Sequence, residues 1–302
     1  MPTGYLVPAS DIERETGFGM DLLRKWRQRY GFPLPEARAD GKAGYSRKTV
    51  THLLLIKRLL EGGFRAAQVV GKTAAELERL QRALVDEVPA AHWSESTRRL
   101  IEMLKQTDLA GLEALLGKER AKGTLTEFVL DTLVPLVKGV GDAWSRKEIE
   151  IYHEHFCTGV IERWLHAEIR ASKPRRGYPR ILFAAPPEER HMLGLLMAEA
   201  VLADRGADTV SVGSHVPVND VKMGAVSCKA DILALSFSFA YPARLVRPTL
   251  AHVRRLLPAH IEIWAGGANA AMVRHPPKGV RVFPTIRESV AALIDFAKRR
   301  RG

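Results

Sequence analysis

The sequence predicts a multidomain protein of α and α/β class, and three observations predict it. Residues 9–72 hold short helical patterns broken by a Pro- and Gly-rich stretch. Residues 74–172 repeat apolar positions at three- and four-residue spacing. Residues 180–300 alternate β-rich runs with helical patterns. The 302-residue length suits two or three domains. Composition is that of a soluble globular chain, 46% hydrophobic and 26% charged. No apolar run approaches the roughly 18 residues needed to span a bilayer, and the start "MPTGYLVPASDIERE" lacks a signal peptide's basic and apolar regions. Cys157 and Cys228 are too few for a disulfide framework and lack metal-ligand spacing. A reduced cytoplasm, with no membrane partner, is the expected setting.

The first domain is expected over residues 1–73. "ASDIERETGFGMDLLRKWRQRY" reads as two short helices around a glycine turn. Ser10 is the expected N-cap, with Glu13 at the capping-box offset. Gly17 ends the first helix, and Met20–Tyr30 forms the second, with Leu22, Leu23 and Trp26 apolar and Arg24, Lys25, Arg27 and Arg29 along it. "GFPLPEARADGKAGYS" cannot be helical and reads as a hairpin wing carrying Arg38, Lys42 and Tyr45. "SRKTVTHLLLIKRLLEGGF" is an amphipathic helix stopped by Gly62-Gly63. This is a winged helix-turn-helix pattern, whose second helix enters the major groove of double-stranded DNA. Of the net charge of +12, residues 1–72 supply +6, with 13 Lys/Arg against 7 Asp/Glu. A basic stripe suits a polyanion. The tail "KRRRG" reads as a solvated helix end.

Residues 74–172 read as a bundle of five helical segments, "AAELERLQRALVDEV" the first of them. "SKPRRGYPR" reads as a linker. Residues 178–302 then supply "RILFAA", "DTVSVG", "DILALSFS", "IEIWAG" and "VRVFP", the five strands of a doubly wound parallel sheet.

Three features fall at carboxyl ends of these strands, where open α/β sheets bind ligands. Glu189, His191 and Gly194 follow the first strand, Ser236 and Ser238 close the third, and Gly266-Gly267 follow the fourth. A neutral imidazole is a good transition-metal ligand, and a carboxylate can hold its other nitrogen. Glycines let a ligand approach the backbone closely, and a serine can bond a buried polar group. Singly, each is weak: a lone histidine near a helix start is more often an exposed polar residue than a ligand, and Gly-Gly after a strand is commonly just a turn.

Together these residues resemble the cobalamin-binding signature Asp-x-His-x-x-Gly, Ser-x-Leu and Gly-Gly, with Glu189 in place of Asp and Ser238 in place of Leu. In the bundle, Trp144 is followed by nine residues and then Glu154-His155. That Trp-x9-Glu-His spacing, with "LLRKWRQRYGFPLP" and "GYSRKTVTHLLLIKRLLEGGF" before it, resembles the light-responsive MerR-type regulators of the CarH/LitR group. The resemblance spans nearly the whole chain and implies a Rossmann-like cobalamin-binding domain under a helical cap. It implies His191 as the lower axial ligand of cobalt, with Trp144, Glu154 and His155 lining the upper side. It also implies Arg24, Arg27, Arg38 and Tyr45 as DNA contacts; Lys25 and Lys42 complete that surface. The implied function is a non-enzymatic repressor that binds adenosylcobalamin and a DNA operator. Dark oligomers, a dimer or tetramer, would fall apart when light breaks the cobalt–carbon bond. The family often places a histidine directly after the Trp, where this chain has Ser145. Two other readings stay open. One is a light-independent MerR-type regulator whose third domain is a scaffold or senses another ligand. The other is a cobalamin enzyme module, against which the basic N-terminal domain argues.

Overall fold

A computed structural model describes residues 6–38, 40–61, 64–86, 93–187, 189, 191–214, 216–239 and 241–300. Its contacts divide the chain into two compact units, Met1–His92 and Trp93–Gly302.

The first unit runs β1 (Leu6–Pro8), α1 (Ile12–Thr16), α2 (Met20–Tyr30), β2 (Glu36–Ala37), β3 (Ala43–Ser46), α3 (Arg47–Glu61), α4 (Ala66–Val69) and α5 (Ala74–Asp86). The strands form an antiparallel sheet ordered β1-β3-β2, so the wing pairs back on the residues before α1. Gly17 ends α1 at φ 76, a left-handed conformation in which a Cβ would be strained. The N-cap of α1 is Asp11 rather than Ser10, and no side-chain cap bond forms there. Asp11 instead donates its N–H to the Pro8 carbonyl and pairs its carboxylate with Arg14 at 3.2 Å. The apolar face of α2 is narrower than the sequence suggests. Leu23 and Trp26 are buried against Ile12, Leu53 and Ile56, while Leu22 is exposed. The helix α5 packs against α3, with Leu77 in the same core. The Gly62-Gly63 stop lies outside the described residues.

The second unit begins with α6 (Glu95–Lys105), α7 (Leu109–Arg120), α8 (Leu125–Glu127), α9 (Val134–Ser145) and α10 (Ile151–Ala171). Thr124 and Glu127 form a reciprocal capping box at α8. Between α8 and α9, Phe128–Leu133 is π-helical. Pro135, in the first turn of α9, has no N–H to donate and crowds the carbonyl four residues back. The chain widens just before it, and Val134 N–H bonds the Val129 carbonyl five residues back.

The sheet domain continues with β4 (Arg180–Ala184), α11 (Leu193–Asp204), β5 (Asp208–Gly213), α12 (Val218–Ser227), β6 (Ile232–Ser236), α13 (Ala243–Leu256), β7 (Glu262–Gly266), α14 (Ala268–Ala271), β8 (Val280–Phe283) and α15 (Ile286–Arg299). All five strands pair parallel, in the order β5-β4-β6-β7-β8. Side chains alternate across this sheet. Ile181 and Phe183 join one core with α11, α15 and the helical bundle, whereas Leu182 and Ala184 join another with α12 and α13. Bundle and sheet thus share one hydrophobic core. Polar contacts fasten the junction: Thr126 Oγ1 donates to Asp204 at 2.5 Å, Arg205 Nε donates to Thr126 Oγ1 at 3.0 Å, and Arg287 pairs with Asp131 at 2.7 Å. The segment before β4 is pinned too, since Arg175 N–H bonds the Gly206 carbonyl at 2.8 Å. Strand order reverses between β4 and β6, which opens a crevice at their carboxyl ends.

Candidate functional site

Two of the three expected features meet directly at that crevice. After β4 the chain turns at Pro186, whose carbonyl accepts the N–H of Glu189 at 2.9 Å. Glu189 is completely buried. Its Oε1 accepts the His191 backbone N–H at 2.7 Å and the Ser238 hydroxyl at 3.0 Å, and its Oε2 accepts the Ser238 backbone N–H at 2.6 Å. Burial alone would push this carboxyl pKa up. The hydrogen bonds from His191 and Ser238 outweigh it and hold the pKa below the usual carboxylate range. Glu189 is therefore an anion at neutral pH and an acceptor only. His191 Nδ1, 3.2 Å from Oε1, must be the donor. That tautomer puts the ring's lone pair on Nε2, and the side chain is 46% exposed. Phe239 stands beside the imidazole, ring centroids 5.6 Å apart.

The third feature supports the loop that carries Ser238. Gly267 has φ 97, and a Cβ there would strike the Phe237 carbonyl. Close approach lets Asn269 N–H bond that same carbonyl at 3.1 Å, while its side-chain amide donates to the carbonyls of Phe239, at 3.1 Å, and Tyr241, at 2.7 Å. Ser236 is buried and pairs in register with Gly266. A Cβ at Gly194, in the first turn of α11, would meet nothing within 4 Å. Sequence patterns alone did not point to Asn269 or Phe239. An Asn two residues past a Gly-Gly at a helix start is the signal for the first; nothing marks the second.

The bundle residues lie in the same compact unit. Trp144 ends α9 half-buried against the shared core, with Ser145 next to it. The Lys147 N–H to Trp144 carbonyl bond, 3.0 Å, closes the turn toward α10. On α10, Glu154 Oε2 and His155 Nδ1 are 3.0 Å apart, and Glu154 Oε1 accepts the Thr158 hydroxyl at 3.0 Å. His155 is 70% exposed. His153 is buried, its Nδ1 accepting the Glu150 N–H at 2.9 Å. Residues two apart on a helix diverge, so these two histidines serve different environments.

In the first unit, Arg24 and Lys25 are exposed on α2 and Arg27 is half-buried. Arg24 pairs with Asp21 and Arg38 with Asp40, both at 3.4 Å. The Arg24–Asp21 pair is well exposed, and pairs of that kind are worth about 0–1 kcal/mol. Lys42 is exposed in the wing. Tyr45 departs from expectation: it is 2% exposed, on the face of β3 turned into the core. Burial pushes its pKa up, and the nearby Arg27 and Arg24 cations pull the other way. Tyr45 thus underlies the surface that those arginines form.

Comparison with known proteins gives matching results for both units. Residues 8–76 match the MerR HTH family of regulatory proteins, and residues 97–167 match the B12 binding domain. The chain is 27% identical over 263 residues to the HTH-type transcriptional repressor CarH of Myxococcus xanthus, covering 84% of this chain and 86% of the relative. It is 27% identical over 236 residues to the repressor CarA of the same organism, covering 75% and 74%. A solved structure, the Methanosarcina barkeri monomethylamine corrinoid protein, aligns at 15% identity over 65% of this chain and 96% of its own, with a TM-score of 0.48. The chain joins a MerR-type helix-turn-helix module to a B12-binding domain and is homologous to the Myxococcus repressors CarH and CarA.

Proposed function

We propose that the protein is a transcriptional repressor in which bound adenosylcobalamin controls self-association and, through it, the hold on a DNA operator. The observation that carries this reading is the Glu189–His191–Ser238 arrangement at the strand-order reversal. One imidazole does not hold a bare metal ion well, and among the described residues no group of three or more His, Cys, Asp or Glu side chains does so either. A lone, carboxylate-oriented histidine suits a metal that arrives already chelated, needing one axial donor. The open space at Gly194 fits a bulky ligand entering the crevice, while Gly267 packs on the Phe237 backbone and steadies the loop that carries Ser238. His191 Nε2 would be the lower axial donor, with Ser236, Ser238 and Gly266 along the ligand's tail. Trp144, Glu154 and His155 would cover its upper face.

Bound there, adenosylcobalamin would supply a light-labile cobalt–carbon bond. The chain's part is to convert a change at Trp144 into a change of assembly, which requires that the two ligand states favour different oligomers. Arg24, Lys25, Arg27, Arg38 and Lys42 would contact the duplex. A dimer or tetramer gains operator affinity through multivalency and loses it on dissociation, with each single contact unchanged. Among the described residues no helix is long and apolar enough to cross a membrane, and a cytoplasmic regulator is the setting proposed. Size-exclusion chromatography with absorbance detection tests this, on protein mixed with adenosylcobalamin in the dark and after illumination. Co-elution with a dark oligomer that shrinks under light supports the reading. Co-elution at constant size instead supports a light-independent sensor, in line with Ser145. No co-elution leaves the third domain a scaffold.

A further inference from the structure

The winged module is not the stretch of highest net positive charge. Residues 232–302 contain 12 Lys/Arg and 3 Asp/Glu, a net charge of +9, against +6 for residues 1–72. From residue 232 to residue 287 the one acidic residue is Glu262. It is already held by Arg299 at 3.0 Å, Arg281 at 3.9 Å and the Trp264 indole N–H at 2.9 Å.

Five of these cations lie together on the outer helical layer of the sheet domain, on α13 and the loop after α14. The apolar side of α13, through Val246, Leu250 and Val253, is buried against the sheet. Arg244, Arg247, His252 and Arg255 are exposed along its other side. Arg244 to Arg255 spans eleven residues, about 16 Å of helix. The loop after α14 lies against this stripe, since Arg247 Nε donates to the His275 carbonyl at 3.2 Å, and it adds exposed Arg274 and Lys278. Among the described residues Arg244, Arg255, Arg274 and Lys278 form no ion pair.

We infer that this face of the sheet domain is a second, sequence-independent DNA-binding surface, contacting duplex phosphates. The inference rests on the reading of the chain as a DNA-binding regulator. Arginine predominates, and its planar fork suits phosphate oxygens. Phosphates recur every ~3.4 Å of axis on each strand, so a 16 Å stripe tracks several. The apolar side of α13 is spent on the core, which disfavours an interfacial membrane helix.

The test uses the full chain and a fluorescein-labelled 40-base-pair duplex of random sequence, with anisotropy followed across a KCl series. Each phosphate contact contributes a slope of about 0.9 in log K against log salt. The fourfold variant R244Q/R255Q/R274Q/K278Q should lower the slope by about 2–4 and weaken binding at least tenfold, with an unchanged melting temperature. A parallel Arg24→Ala/Arg27→Ala variant keeps the two readings apart. It should lose preference for an operator fragment yet retain the salt-dependent binding that the fourfold change removes. An unchanged slope in the fourfold variant overturns the inference while leaving the winged module's role intact. Loss of sedimentation with phosphatidylglycerol vesicles, with duplex binding unchanged, also overturns it and assigns the face to a membrane surface.

Discussion

Glu189 Oε1 accepts the backbone N–H of His191 at 2.7 Å and faces the Nδ1 of the same residue at 3.2 Å. One buried oxygen therefore fixes both the path of the chain and the tautomer of the ring. A glutamate reaches this position because the Pro186 turn brings its backbone close, Glu189 N–H to Pro186 carbonyl being 2.9 Å. Replacing the carboxylate with an amide would keep the shape and lose the charge that orders the imidazole. Glu189→Gln should weaken cobalamin binding by about 10–100-fold. Titration of the ligand's visible absorbance against protein measures this.

The same carboxylate sets an acid limit on stability. Its folded pKa is depressed, so its contribution is fully present above the ordinary carboxylate range and is lost as pH falls through the folded value. The parent should melt higher than Glu189→Gln at pH 7, by about 1–3 kcal/mol in unfolding free energy. The gap should close as pH falls below about 4. Thermal melts across pH 3–8 read this directly, and a gap that widened in acid would contradict it.

Glu199 behaves oppositely within the same domain. It is buried on α11, where desolvation pushes its pKa up and the hydroxyls of Thr209 and Ser211 only partly compensate. A raised carboxyl pKa costs stability as pH rises above the unfolded value. Glu199→Gln should therefore gain melting temperature over the parent from about pH 5 upward and match it below pH 4. The two variants measured side by side should show opposite pH trends.

Gly267→Ala tests the loop that carries Ser238. Its φ of 97 and the carbonyl of Phe237 leave no room for a methyl group. Destabilisation of about 2–4 kcal/mol is expected, read as a shift in the urea midpoint of ligand-free protein. A shift under about 0.5 kcal/mol would mean the junction with Asn269 relaxes freely.

In the DNA module, Tyr45 and Arg27 should separate. Tyr45→Phe keeps the buried ring and should change operator affinity by less than about twofold. Arg27→Ala should cost about 1–3 kcal/mol if that side chain reads a base edge. Anisotropy at fixed salt distinguishes them.

Much of the fold was legible in the sequence because periodicity reports burial. The five strands alternate or run apolar as parallel strands must, and Met20–Tyr30 is framed by Gly19 and Gly31. Glu189, His191, Ser238 and Gly267 stood out in the sequence only as a set, through their combined resemblance to a known signature at the expected strand ends; each alone is weak. What was hidden is long-range or depends on three dimensions. Tyr45 reads as a surface residue in a basic wing, yet β3 is central in its small sheet and turns that position inward. Ser10 looks a better cap than Asp11 until the Pro8 carbonyl claims the Asp11 N–H. The π-helical turn before Pro135 leaves no periodic mark. Asn269 acts on residues about thirty positions away, and its place after Gly266-Gly267 marks the residue without naming those partners.

The most direct test of the central assignment is electron paramagnetic resonance of the protein carrying the cobalt(II) form of cobalamin, prepared with ordinary and with 15N-labelled histidine. If His191 is the lower axial donor, the nitrogen splitting should change from a triplet to a doublet on labelling, and Arg24→Ala protein should behave as the parent. A triplet that persists in the labelled protein would mean the cofactor keeps its own base, and His191 would not be the cobalt ligand.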